Sequence, residues 1–152
     1  MLRRVTLTEP YRRAVMCNQL TSNTIDNMIE TKSTNQDYHC LVTNGKIKVD
    51  SDAPPSKGGL SNGLRPHELL EAALATCINI TIRMTAKEKN INLNYVYTQV
   101  DLDRTDSRTT FKYKIILDDK LSDPDREFLM NIIDFCAVKQ TLTKQLEFLQ
   151  YD

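Results

Sequence analysis

Four cysteines and two histidines are the side chains in this 152-residue chain best suited to nucleophilic or metal chemistry. The cysteines are Cys17, Cys40, Cys77 and Cys136, spaced widely and unevenly. That pattern suits neither a small secreted disulfide scaffold nor a zinc ribbon. His39-Cys40, His67 and Cys17 match no zinc spacing, so no metal site is expected. Two histidines without a nucleophile elbow nominate no Ser-His-Asp set. The loop GGLSNG lacks both the Gly-Lys-Ser/Thr ending and the GxGxxG spacing of phosphate-binding loops. Asp118-Asp119, Asp123 and Asp125 fall in turns and at a helix start, where carboxylates cap helices. The thiols remain. Each of Cys77 and Cys136 reads in isolation either as a small buried hydrophobe or as a reactive group. Taken together they permit a redox pair, because a sulfenic acid on one cysteine is captured by a second.

Cys77 is delivered by GGLSNGLRPHELLEAALATC, residues 58–77. SDAPPSKGGLSNGLR reads as a loop, and Pro66 fits the first position of a helix, where its missing N–H costs nothing. The helix is expected to run to about Lys89, with Asn90 as a left-handed stop. Leu70, Ala73, Cys77, Ile80 and Met84 recur at spacings of three and four, one apolar stripe with Cys77 at its centre. At about three turns from the N-terminus, Cys77 gains little from the helix dipole, so activation would need a cation from elsewhere in the fold.

Before that helix, MIETKS reads as a first strand, and YHCLV and KIKVD flank Thr43-Asn44-Gly45 as a hairpin. After it come NLNYVYTQVDLD and TTFKYKIILD, two strands joined at Asp106-Ser107. Phe111, Tyr113, Ile115 and Leu117 alternate with Lys112, Lys114 and Asp118, the pattern of a sheet wet on one face. Ser122 with Asp125 resembles a capping box opening a helix through PDREFLMNIIDF. Cys136 follows directly, then a helical CAVKQTLTKQL and a short strand, EFLQY. The class is α+β, with a long central helix against antiparallel sheet. Residues 1–27 read as an N-terminal extension and 28–152 as the domain.

Composition narrows the partners. Twenty basic and twenty acidic residues balance, leaving no global field for nucleic acid. No uninterrupted apolar run reaches the ~20 residues of a membrane span, and the N-terminus lacks a secretory apolar core. A cytoplasmic location, with neither nucleic acid nor membrane as partner, is the expectation.

The register around Cys77 resembles the osmotically inducible protein C/organic hydroperoxide resistance (OsmC/Ohr) family. Asp50, Gly58-Gly59, Gly63, Pro66, Glu68-Leu69-Leu70, Ala73-Leu74-Ala75 and Cys77 match its signature in order, and FCAVKQTL places Cys136 as its second cysteine. The resemblance implies an intertwined homodimer with long central helices wrapped by sheet from both subunits. It implies that Cys77 attacks a hydroperoxide and that Cys136 resolves the resulting sulfenate. An external dithiol would restore both thiols, with no metal or flavin cofactor. Other implied roles are binding an apolar small molecule without catalysis, and redox sensing. The family glutamate ten residues before the first cysteine is His67 here, with Glu68 beside it. The family's hairpin arginine has no counterpart between Arg13 and Arg65. Lys46, Lys48 or Lys57 could supply a cation without the planar fork, and Arg83 more remotely. Alanine, not proline, follows Cys136.

Overall fold

The computed structural model describes residues 28–150. In sequence, one long helix stands between two separate antiparallel sheets, in the order strands, helix, strands, helices. The first sheet is three antiparallel strands, β1 (Glu30–Ser33), β2 (Cys40–Thr43) and β3 (Lys48–Ser51), paired in that order. Its hairpin turn is closed by Asn44, whose Oδ1 accepts the N–H groups of Lys46 (3.0 Å) and Ile47 (2.8 Å). Gly45 supplies the positive φ of 86° that this turn requires. Lys46 and Ile47 therefore belong to the turn and not to the strand.

Helix α1 spans Pro66–Glu88. Pro66 opens it, and Glu68 accepts the Arg65 N–H at 2.7 Å, half of a reciprocal cap. Asn90, at φ 55°, ends it. The second sheet is one long hairpin, β4 (Val96–Arg104) with β5 (Thr109–Leu117), in register from Val96↔Leu117 to Arg104↔Thr109. Helix α2 (Asp123–Asn131) begins at Ser122, whose hydroxyl accepts the Asp125 N–H and donates to the Asp125 carboxylate. A 3-10 turn (Ile132–Phe135) and helix α3 (Ala137–Leu142) complete the described elements. The expected EFLQY strand is absent over its described residues: 147–150 are irregular, with Phe148 91% exposed. Among the described residues, neither sheet includes this segment.

The core forms where α1 lies on β4 with α2, the 3-10 turn and α3 around it. Its centre is Leu74, Ile78 and Ile82 from α1 against Leu117, Leu129, Ile132 and Ile133. Each such side chain contributes roughly 1.5–3 kcal/mol by leaving water. The stripe read from the sequence is a different face. At 100° per residue, Leu74, Ile78 and Ile82 lie roughly 120° around the helix from Leu70, Ala73, Ile80 and Met84. Leu70, Ile80 and Met84 are 46%, 51% and 59% exposed. The helix is apolar on nearly every side, and its own chain covers one of them. By length and composition alone α1 could also cross a membrane, an ambiguity that the absence of a long uninterrupted apolar run had hidden.

Two polar contacts staple α1 to β4. The Glu71 carboxylate accepts the Leu102 N–H at 2.8 Å, and the Asn79 amide donates to the Val96 carbonyl at 3.0 Å. They fix how far the helix can slide along the strand, and with it the depth of Cys77.

The first sheet is held differently. No substantial packing joins it to α1 or to the second sheet. It is tied instead to the loop before α1, through the buried carboxylate of Asp52. That carboxylate accepts N–H groups of Ala53 (2.7 Å), Leu60 (3.1 Å) and Asn62 (3.0 Å), and the Gln36 side-chain amide (3.3 Å). These bonds, that from Asn62 first, hold its pKa below the usual carboxylate range despite burial. Gly59 lets the loop close: a Cβ there would lie 2.0 Å from the Ala53 carbonyl oxygen. Gly59 and Gly63 thus serve close backbone contact.

Candidate active site

Cys77 lies on the border between the buried and exposed faces of α1, half-buried and packed against the core. Cys136 sits where the 3-10 turn breaks into α3, fully buried, with its own N–H bonded to the Ile133 carbonyl at 3.1 Å. Fifty-nine residues apart in sequence, the two thiols are neighbours in the fold, near enough for Cys77 to raise the Cys136 pKa. α1 supplies one and the α2–α3 junction the other, and the Ile78–Ile133 core holds the two elements together.

Their electrostatics are unequal. Burial, and to a lesser degree the adjacent Cys77 sulfur, push the Cys136 thiol up to about 11. The backbone amides of Lys139 and Val138 pull the other way. Cys136 therefore keeps its proton at neutral pH, and Cys77 is the more accessible sulfur of the two.

Of the supporting positions, none is joined to Cys77 by a contact within the described chain. His67 is exposed at the first turn of α1, about 15 Å along the axis from Cys77. Glu68 is claimed by Arg65, whose Nε and Nη2 reach its Oε1 at 2.8 Å and 2.6 Å. That fork holds Glu68 below its usual pKa and raises Arg65. Lys46 and Lys48 stay exposed on the first sheet, and Lys57 on the loop. Arg83 lines a groove with Ile80, Met84 and Lys87. Both ring nitrogens of His39 are occupied, Nδ1 by Thr34 Oγ1 (2.9 Å) and Nε2 by Asp50 (3.1 Å). Cys17 lies outside the described residues.

The sequence reading overlooked the cation nearest this junction in the chain. Lys139 reaches back to Asp134 Oδ1 at 2.7 Å and to the Tyr113 hydroxyl at 3.3 Å, its ammonium 5.5 Å from the Tyr113 ring centroid. Its place three residues after Cys136, one helical turn on, was the available signal. Beside it a groove of about 480 Å³ runs between α1, β5 and α3.

A half-buried thiol and a protonated buried thiol, joined across two elements, form an arrangement with relatives. Residues 57–148 match the profile described as OsmC-like protein. The chain belongs to the OsmC-like protein family. The match takes in the glycine loop, α1 and both cysteines. No curated protein sequence matches the chain. Among solved structures, a putative osmotic stress induced and detoxification response protein from Psychrobacter arcticus 273-4 superposes with a TM-score of 0.66 at 17% identity, covering 82% of this chain and 91% of that one. An OsmC-like protein from Mycoplasma pneumoniae gives 0.59 at 20% identity, covering 77% and 88%. An organic hydroperoxide resistance protein OsmC from Legionella pneumophila gives 0.53 at 24% identity, covering 76% and 89%. These likenesses establish an OsmC-like fold: α+β, with a long helix against antiparallel sheet.

Proposed function

We propose that this OsmC-like chain reduces hydroperoxides with Cys77 as peroxidatic and Cys136 as resolving cysteine. The nearness of the two thiols, both packed on the same core, carries the reading, because resolution requires that the sulfurs meet without large rearrangement. Cys77, as thiolate, attacks the terminal oxygen of ROOH. An S–O bond forms, the O–O bond breaks, and the alkoxide leaves as ROH after taking a proton. The Cys136 sulfur then attacks the Cys77 sulfenic acid; an S–S bond forms, and the departing hydroxyl leaves as water with the Cys136 proton. A dithiol reductant returns both thiols by exchange, itself becoming a disulfide. No group outside the chain is needed except that reductant.

The functional unit in this reading is a homodimer. Two observations support it: the first sheet has no core of its own, and α1 keeps the Leu70, Ile80, Met84 face uncovered. A second copy could satisfy both at once.

A redox-sensing role is the second reading, favoured by the Cys136 thiol. With a pKa of about 11, about one molecule in ten thousand carries the Cys136 thiolate at pH 7. Slow resolution would let the Cys77 sulfenate persist. One experiment separates the readings. Purified protein with dithiothreitol should consume cumene hydroperoxide over many turnovers, and Cys77→Ser should fall to the uncatalysed rate. Cys136→Ser should accumulate a dimedone-reactive sulfenate. A single stoichiometric oxidation without turnover would sink the enzyme reading and leave the sensor.

A further inference from the structure

A pair of sulfurs brought together at the edge of a dry core is also a ligand set. Cys77 is half-buried and packs on the buried cluster that holds Cys136, Ile78 and Ile133, and Cys136 is fully buried. The two come from different elements, α1 and the junction before α3, so core packing sets their separation. What acts on the Cys136 sulfur is its burial, the Cys77 sulfur and the backbone amides of Lys139 and Val138, with no charged side chain among them.

Donor type and donor number select what such a pair can hold. Thiolates are soft ligands, which turns away magnesium, calcium and manganese. Zinc asks for three or four protein ligands, and iron–sulfur clusters for four. Among the described residues no group of three His, Cys, Asp or Glu side chains is placed to hold a metal ion. The third described thiol, Cys40, lies on β2, in the sheet that has no substantial packing with α1. Two sulfurs alone suit a soft cation that is satisfied by two thiolates in line, and copper(I) is such an ion.

We infer that Cys77 and Cys136 form a two-coordinate copper(I) site, the ion held between the sulfurs at roughly the 2.3 Å of a metal–thiolate bond from each. Two copper–sulfur bonds form and the two thiol protons leave, while copper stays in its +1 state. The loaded pair then carries a single negative charge. The amides of Lys139 and Val138, which favour the anionic form of Cys136, give that charge its outer-shell support. The site shares its sulfurs with the proposed peroxidase and does not depend on turnover. It would regulate that chemistry, because a sulfur bound to copper is not free to attack a peroxide.

The test uses the full chain carrying Cys17→Ser and Cys40→Ser, which removes the two thiols outside the site. Titrated with copper(I) under anaerobic conditions against the chelator bicinchoninate, it should take one ion per chain. X-ray absorption should show two sulfur neighbours and no nitrogen, and iodoacetamide should no longer alkylate Cys77 in the loaded chain. Adding Cys77→Ser should weaken copper(I) by more than about 100-fold, beyond the loss that an outer-shell partner causes, with the thermal transition retained. Cys136→Ala should do the same, and excess zinc(II) should displace no copper from the parent. The inference is overturned if bicinchoninate keeps the copper, or if Cys77→Ser binds it as tightly as the parent. One ion per two chains overturns it equally, by placing the ion between copies. Peroxide consumption is measured separately on the metal-free native chain. Copper(I) binding without turnover ends the peroxidase reading and keeps this site, and turnover without copper(I) binding does the reverse.

Discussion

The two halves of this chain are held together by different physics. From α1 onward, leucines and isoleucines from helix, hairpin and the α2–α3 segment close a dry core around Leu74, Ile78 and Ile82. Before α1, a three-stranded sheet with almost no buried side chains is tied to a glycine loop by backbone bonds converging on Asp52. Burial rewards each residue added. A hydrogen-bonded sheet without a core gains only about 0.5–1.5 kcal/mol net per bond, against backbone entropy of similar size. The first half therefore depends on what covers it, the second does not, and the thiol pair is built wholly within the second.

The largest test of that contrast is Ile78→Ala. Ile78 is fully buried at the centre of α1. Its truncation should cost about 3–4 kcal/mol, read as a lowered urea midpoint with unchanged slope. The Cys77–Cys136 pair should loosen with it, since the same packing brings the two elements together. Next is Gly59→Val. With a Cβ position 2.0 Å from the Ala53 oxygen, the loop must open, at an expected cost of about 2–3 kcal/mol. Amide exchange should then rise in β1–β3 and leave β4–β5 protected. Protection lost equally in both sheets would show that the halves are one cooperative unit and end the comparison.

Met84→Lys probes what covers the first half. Met84 is 59% exposed, so a lysine there should leave the single chain's own stability within about 0.5 kcal/mol. If a second copy packs on this face, dissociation measured by sedimentation should shift at least tenfold, or about 1.4 kcal/mol. An unchanged association constant would place the partner surface elsewhere.

Much of this contrast was legible in the sequence. Asn44-Gly45 marked a turn, the alternation from Phe111 to Leu117 marked a strand, and Pro66 and Asn90 bracketed α1. Each is a local signal, read over a few residues. Which side of α1 faces inward was not legible, because Leu74-Ile78-Ile82 and Leu70-Ile80-Met84 are equally apolar and only tertiary contact chooses between them. Asp52 was hidden for a related reason. An aspartate between a serine and an alanine in a proline-rich loop looks like any turn residue, and its partners Gln36 and Asn62 lie up to sixteen positions away. The cysteines were found by register, but their nearness depends on elements whose docking no local pattern encodes. EFLQY failed in the opposite direction, since a few strand-prone residues are a local signal and a strand needs a neighbour.

The smallest effect at neutral pH, and the one that most sharpens the comparison, is in acid. Asp52, Glu68 and Asp118 all have pKa values held below the ordinary carboxylate range, by N–H donors at Asp52, by the Arg65 fork at Glu68, and by the Lys120 N–H and the Asn94 side chain at Asp118. A folded pKa below the unfolded value means that the unfolded chain binds the proton first. The stability each contributes is therefore complete above the unfolded value of roughly 4 and is lost as pH falls through the folded one. These three carboxylates should contribute no change between pH 8 and about 5. Below about 4 the chain should weaken, and the order of weakening is the informative part. Asp52 is buried and holds its loop with four accepted bonds, whereas Asp118 is only part-buried and caps a turn at the end of β5. Amide exchange in the first sheet should thus rise at a higher pH than exchange in β4–β5, whose apolar packing has no proton to gain. Simultaneous loss would mean that Asp52 carries no more of its half than Asp118 does, and that the first sheet is secured by something other than this carboxylate.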